Sequence, residues 1–188
     1  MPLLLASKSP RRRELLARLG YPFEVRVFPA REFSDGEAPA DELPARNAEL
    51  KARATAERFP DALVVGADTV IVLDGRIIGK PRDPDDARAI LAALSGRAHQ
   101  VVTGIALLRA AESFRRVWSE VSTVRFKTLA ASTIEEYLRR VYVLDKAGAY
   151  AIQEHGDLLV EHLDGDLDNV IGLPLGRLGD ELRKLNFR

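Results

Sequence analysis

Cysteine is absent from this chain. That excludes a disulfide framework and a thiolate zinc site. Histidine is scarce: His99, His155 and His162 share no ligand spacing, so no histidine zinc site is expected either. Net charge is absent, since 28 basic residues balance 28 acidic ones. No global field favours nucleic acid or a membrane surface, and neither is expected as a partner. No segment approaches transmembrane length, and the N-terminus lacks the long apolar run of a signal peptide. A cytoplasmic protein is the expectation. Lysine is limited to positions 8, 51, 80, 127, 146 and 184, and Asn and Gln are few. Such a composition suits a warm or GC-rich source. Internal repeats and low-complexity tracts are missing as well.

What is present suffices for a sizeable core: 46% of the 188 residues are hydrophobic. The length suits one domain or two small lobes. Leu3 to Leu5 reads as a short buried strand, and Phe23, Val25 and Val27 alternate with charged residues as a second. Residues 29–40 read as a loop. Residues 41–59 read as a helix with Leu43, Asn47, Leu50 and Ala54 along one face and Lys51 beside it. Ala62 to Val65 is a buried strand ending at Gly66. Asp74-Gly75 is a strong hairpin signal between Val70–Leu73 and Arg76–Ile78. Asp83 and Pro84 open a helix that Gly96 closes. Residues 99–108 and 114–127 read as long strands. Ser132 and Glu135 form a capping box for a helix reaching about Val141. Residues 157–163 read as a strand and 174–186 as a closing helix. The pattern predicts one α/β fold with a mixed, elongated central sheet, flanking helices and two lobes.

The stretch LLLASKSPRRRE carries the most information. Ser9 can N-cap a helix, and Pro10 suits its first position. Arg11, Arg12 and Arg13 then fall at the positive end of the helix macrodipole, which favours anions. Three arginines beside free N–H groups and two hydroxyls suggest a missing anion, and a phosphate chain would supply it. The alternative is a solvated basic turn. Asp68, in Gly66-Ala67-Asp68-Thr69, suits a general base or a metal ligand facing a cleft, or else a turn carboxylate bonding its own backbone. Lys80 is a point charge on a backbone stiffened by Pro81, placed for a phosphate or simply at the surface. Residues 145–153 join two charged residues and the Gln153 amide by small residues that allow close approach of a ligand or of another strand. The run 169–174 reads as structural.

Taken in order, SxSPRR at 7–12, GADT at 66–69, GKP at 79–81, DKAGAYxIQ at 145–153 and VxGLP at 170–174 resemble the Maf family of nucleoside triphosphate pyrophosphatases. The resemblance covers nearly the whole chain, which is read as a single domain over 1–188. It implies a fold with a cleft between two lobes, related to inosine triphosphate pyrophosphatases. It implies hydrolysis of a nucleoside triphosphate to the monophosphate and pyrophosphate, with a divalent metal. By this resemblance Asp68 is the proton acceptor. Arg11, Thr69 and Gln153 match the specificity positions. Ser7, Arg12, Lys51 and Lys80 match the phosphate-side groups. Glu32 falls at the acidic metal ligand, and Asp68 is its expected partner there. Arg31, Ala151 and Glu154 depart from the family pattern, the first before the metal-side glutamate and the others flanking Ile152-Gln153.

The GADT and DKAGAY forms resemble the dTTP/UTP branch, whose expected role is cleansing of the nucleotide pool. The expected metal is Mg²⁺, with Mn²⁺ or Co²⁺ as alternatives, because Mg²⁺ needs only one or two carboxylates beside waters and phosphate oxygens. A carboxylate is a weak base at neutral pH, so the metal is expected to do most of the water activation. The Gln153 amide can donate to O4 of uracil and accept from N3–H, or flip to fit cytosine. CTP and modified pyrimidine nucleotides therefore stay open as substrates. Two other readings stand beside this one: a purine pyrophosphatase of the inosine triphosphate type, and a non-catalytic septum-formation regulator acting through a partner. The oligomeric state is left open between monomer and homodimer.

Overall fold

The computed structural model describes residues 1–187. Its centre is a mixed seven-stranded sheet in the order β2-β1-β3-β5-β6-β7, with β4 paired to β3. The strands are β1 (Leu3–Leu5), β2 (Glu24–Val25), β3 (Leu63–Leu73), β4 (Arg76–Ile78), β5 (Ala98–Arg109), β6 (Phe114–Phe126) and β7 (Val160–Asp164). The helices are α1 (Pro10–Ala17), α2 (Leu43–Ala56), α3 (Pro84–Leu94), α4 (Ala131–Arg140), α5 (Leu167–Ile171) and α6 (Leu175–Lys184). β1 runs parallel to both β2 and β3, whereas β3–β4 and β6–β7 are antiparallel. The mixed α/β class read from the sequence is the class observed.

The chain divides into two compact units. The first holds Met1–Thr69, Thr103–Glu120 and Gly172–Arg188; the second holds Val70–Val102 and Val121–Ile171. Each has its own core. In the first, Leu4 and Val64 of the sheet and Ala6 just past β1 pack with Ala48, Ala52 and Ala56 of α2. In the second, Leu91 and Leu94 of α3 and Ile134 and Tyr137 of α4 pack with Val124, Phe126 and Tyr150.

Several expectations need correction. β3 does not stop at Gly66; it continues through Asp68 to Leu73. Gly66 is there for contact: a Cβ would lie 2.2 Å from the Ala48 carbonyl oxygen and 2.9 Å from Ala52 Cβ. Gly104 does the same on β5, where a Cβ would lie 2.2 Å from Ala45 N. Two glycines thus let α2 lie close on the sheet, and its buried face is built of small residues. That face holds Leu43, Asn47, Ala48, Ala52, Thr55 and Ala56, while Leu50 and Ala54 are only half-buried. The capping box fails too. Ala130 is the N-cap of α4 and supplies no side-chain bond, Ser132 lies inside the helix, and Glu135 pairs with Arg88 instead. β2 is two exposed residues, because it lies at the sheet edge with only β1 beside it. β7 begins at Val160, after a 3₁₀ turn at Gly156–Leu158. The run before Pro174 is the short helix α5, in which Asn169 is buried and donates to the Val101 carbonyl and the Ser122 hydroxyl. The hairpin is as read: Leu73 pairs with Arg76 across Asp74 and Gly75, both at positive φ.

Candidate active site

In the first unit the turn after β1 folds as its residues dictate. The Ser9 hydroxyl accepts from Arg12 N at 3.4 Å, and Pro10 opens α1. The buried Ser7 hydroxyl accepts from Ser9 N and from Arg12 Nη1, both at 3.3 Å. Arg12 reaches away from its own helix. Nε donates to Gly172 O at 2.9 Å, Nη1 to Ala67 O at 2.9 Å, and Nη2 to the Thr69 hydroxyl at 2.9 Å. Burial holds its guanidinium below the ordinary value, with Asp68 opposing that shift. The Thr69 hydroxyl also lies 2.9 Å from that of Thr103 on β5. One side chain therefore ties the first turn, the GADT segment and the Gly172 turn together. A guanidinium has five N–H donors. Four hydrogen bonds are already made here, which leaves one N–H for anything else. The Arg11 side chain, half-buried one residue earlier on α1, makes no hydrogen bond or ion pair with the described residues.

A second cluster surrounds Asp68. Lys51 on α2 donates to Asp68 Oδ1 at 2.7 Å, and its ammonium lies 2.9 Å from Glu32 Oε2. Two carboxylates thus meet around one cation. Lys51 and Asp68 keep only 19% and 15% of their side-chain surface exposed, against 48% for Glu32. Asn47, one helical turn before Lys51, donates to the other oxygen, Asp68 Oδ2, at 3.3 Å. The sequence reading put Asn47 on the buried face but gave it no functional place. The signal was an amide four residues before a candidate lysine, on a face otherwise made of small and apolar groups.

The donor set fits a hard divalent cation. Two carboxylates share one counter-ion, and Mg²⁺ takes few protein ligands when phosphate oxygens complete its shell. Among the described residues no group of three or more His, Cys, Asp or Glu forms a metal cage, so a site wholly built from protein ligands does not fit.

Lys80 and Gln153 lie in the second unit, and both are exposed. Their backbone is tightly set. Gly148 N donates to Gly79 O at 3.0 Å, which ties the 145–153 segment to the turn carrying Lys80. Gly148 and Ala149 both have positive φ, and a Cβ on Gly148 would lie 2.3 Å from Ile71 Cδ1. The buried Tyr137 hydroxyl donates to Ala151 O at 3.3 Å and accepts from Ala151 N at 2.9 Å. Burial pushes this phenol up to about 12, so it keeps its proton. Tyr150 Oη lies 2.8 Å from Nε2 of the buried His99, whose pKa burial lowers to about 4. Glu154, a departure from the family pattern, has a partner: it pairs with Lys146 Nζ at 3.4 Å, whose side chain is 6% exposed. Ala151, the neighbouring departure, is buried with both main-chain groups on Tyr137. Arg31, the third, is exposed and lies 3.5 Å from Glu37.

Comparison with known proteins adds four findings. The family profile described as Maf-like protein matches residues 2–185. A protein of Akkermansia muciniphila named dTTP/UTP pyrophosphatase is 42% identical over 187 residues, covering 100% of this chain and 98% of that one. One of the same name from Clostridioides difficile is 45% identical over 185 residues, covering 98% and 95%. Among solved structures, the Staphylococcus aureus Ham1 protein is similar with a TM-score of 0.60 at 15% identity, covering 98% of this chain and 100% of that one. That last likeness is one of fold.

Proposed function

The chain belongs to the Maf-like family, and from that premise we infer that it is a nucleoside triphosphate diphosphatase that hydrolyses dTTP and UTP to the monophosphate and pyrophosphate. The observation that carries this reading is the meeting of Glu32 and Asp68 around Lys51, on a chain matched end to end by dTTP/UTP pyrophosphatases. Its role is to cleanse the nucleotide pool, and its place is the cytoplasm, where that pool lies. Among the described residues no helix is long and apolar enough to cross a membrane. The profile match over 2–185 supports treating the chain as one family domain.

In this reading Asp68 accepts the proton of the water that attacks the α–β linkage. Lys51 balances the charge of the two carboxylates and offers its ammonium to the phosphate chain. Arg11, with no partner of its own, meets the phosphate end or the sugar, and Ser7 and Lys80 add to the phosphate contacts. Arg12 has one N–H left, so its main work is to hold Ala67 and Thr69, the neighbours of Asp68, in place. Glu32 and Asp68 would hold a divalent cation, Mg²⁺ first, which when bound neutralises phosphate charge and acidifies water. Gln153 reads the base through its amide, with Thr69 as the second specificity group. A free amide on a pinned main chain supports that role.

The test is pyrophosphate release across dTTP, UTP, CTP and the purine triphosphates, with Mg²⁺ and with Mn²⁺. Preference for dTTP and UTP is expected. Preference for a purine, or no release from any nucleotide, would overturn the reading.

A further inference from the structure

The loop bearing Glu32 has no regular secondary structure between β2 and α2, yet its glutamate meets Lys51 at 2.9 Å. Something must hold it there, and α2 supplies the hold at the residue next to Glu32. Asn47 Oδ1 accepts from Phe33 N at 2.7 Å, and Asn47 Nδ2 donates to Phe33 O at 3.0 Å. The Arg46 guanidinium lies over the Phe33 ring, 5.8 Å from its centre. The second Nδ2 proton reaches Asp68 Oδ2 at 3.3 Å. The amide has two N–H donors and one carbonyl oxygen, and all are used in a side chain only 3% exposed. No other neutral side chain of that length can accept from an N–H while donating to both a carbonyl and a carboxylate.

We propose that Asn47 is the positioning residue of the active site: it clamps the Phe33 main chain so that Glu32 stands beside Asp68, and it orients the Asp68 carboxylate. The proposal rests on the reading of Glu32 and Asp68 as the working carboxylates. Asn47 itself touches no reacting atom. Its effect on the reaction runs through the separation of two groups, and displacement by about an ångström is enough to cost on the order of a hundredfold in rate.

The test is a double-mutant cycle of Asn47→Leu and Glu32→Gln, read as kcat and KM for UTP. Leucine keeps the shape and removes every hydrogen bond. Asn47→Leu alone is expected to lower kcat about tenfold or more with KM within about threefold. In the Glu32→Gln background the same change is expected to cost at least about threefold less, because the Glu32 share of its effect is gone and only the orientation of Asp68 is left to lose. An undiminished kcat, or a loss of equal size in both backgrounds, would overturn the proposal. Should Asn47→Leu fail to fold, hydrogen exchange of the wild-type protein decides. The Phe33 amide is expected to exchange at least about tenfold more slowly than the Arg31 amide, and equal rates would overturn the clamp. An inactive wild type would overturn the functional reading alone, since the exchange measurement needs no substrate.

Discussion

Asp68 receives a hydrogen bond on each carboxylate oxygen, from Lys51 on one and Asn47 on the other. Asp68→Asn keeps the size of the side chain and removes its capacity to take a proton. The variant is expected to fold and to lose about 10²–10⁴ in kcat, the usual worth of general-base help. Retention of more than about a tenth of wild-type kcat would remove Asp68 from the base role. Arg12 presents the opposite case, a charged residue whose value is geometric. Lysine at this position offers one ammonium in place of a fork, so it cannot reach Gly172 O, Ala67 O and the Thr69 hydroxyl together. Arg12→Lys should therefore destabilise the protein by about 2 kcal/mol or more, since carbonyls within the fold lose their donors. Arg11→Ala, with no bond to lose, should leave stability within about 0.5 kcal/mol and instead lower kcat/KM. Urea unfolding midpoints of the two variants separate these expectations, and equal midpoints would show that the Arg12 fork does not hold the site together. The sequence placed both arginines near phosphate by their position in SPRR. It could not show which one was already engaged, because the acceptors lie far along the chain at Ala67, Thr69 and Gly172.

At the level of elements, local signals were legible and long-range ones were not. Ser9-Pro10, Asp83-Pro84 and Asp74-Gly75 each encode their structure within a few residues, and each is found where the sequence puts it. Gly66 was misread as a strand end because its purpose is contact with α2, which no local window contains. The apolar face of α2 was misjudged for the same cause: against two glycines, alanines pack closer than leucines. Ser132 and Glu135 had the spacing of a capping box, but Arg88 of α3 offers Glu135 a charged partner, and an ion pair replaces the cap. The 145–153 segment shows how an irregular element becomes rigid. Tyr137 holds Ala151 by both main-chain groups, Gly79 holds Gly148, and Lys146 holds Glu154. Gln153 therefore sits on a fixed backbone with its amide free, which suits reading a base edge. Gln153→Ala should cut the preference for UTP over GTP by about ten- to a hundredfold, corresponding to roughly 1–3 kcal/mol for a bidentate base contact. Steady-state kcat/KM for both nucleotides checks this, and an equal fall for the two would assign Gln153 to something they share.

On the scale of the whole molecule, charge balance removes any global field, so the response to pH comes from particular buried groups. His99 is the strongest of these. It is 2% exposed, edge-on to Phe126 and Tyr150, and its pKa falls from 6.5 to about 4 because burial disfavours the imidazolium. Burial raises the facing Tyr150 phenol and so keeps it neutral, and it cannot compensate the charge. Between about pH 4 and 6.5 the unfolded chain binds more protons at this residue than the folded one does, so folding stability rises with pH across that window. The contribution of His99 is complete above pH 6.5 and is lost as pH falls toward 4. Carboxylates lowered by arginine partners, Glu49, Asp86 and Glu135, act in the same direction but lower down, below their ordinary values of 4.5, 3.8 and 4.5. The interval from pH 7 to pH 5 therefore belongs chiefly to His99, and the linkage relation gives a loss of about 2 kcal/mol across it. His99→Gln keeps a hydrogen-bonding partner for the Tyr150 hydroxyl and removes the titration. Urea unfolding of both proteins at pH 7, 6 and 5 is the measurement. The wild type should lose about 2 kcal/mol while the variant loses less than about half of that. Parallel losses in the two proteins would mean that His99 is not what makes the fold sensitive to mild acid.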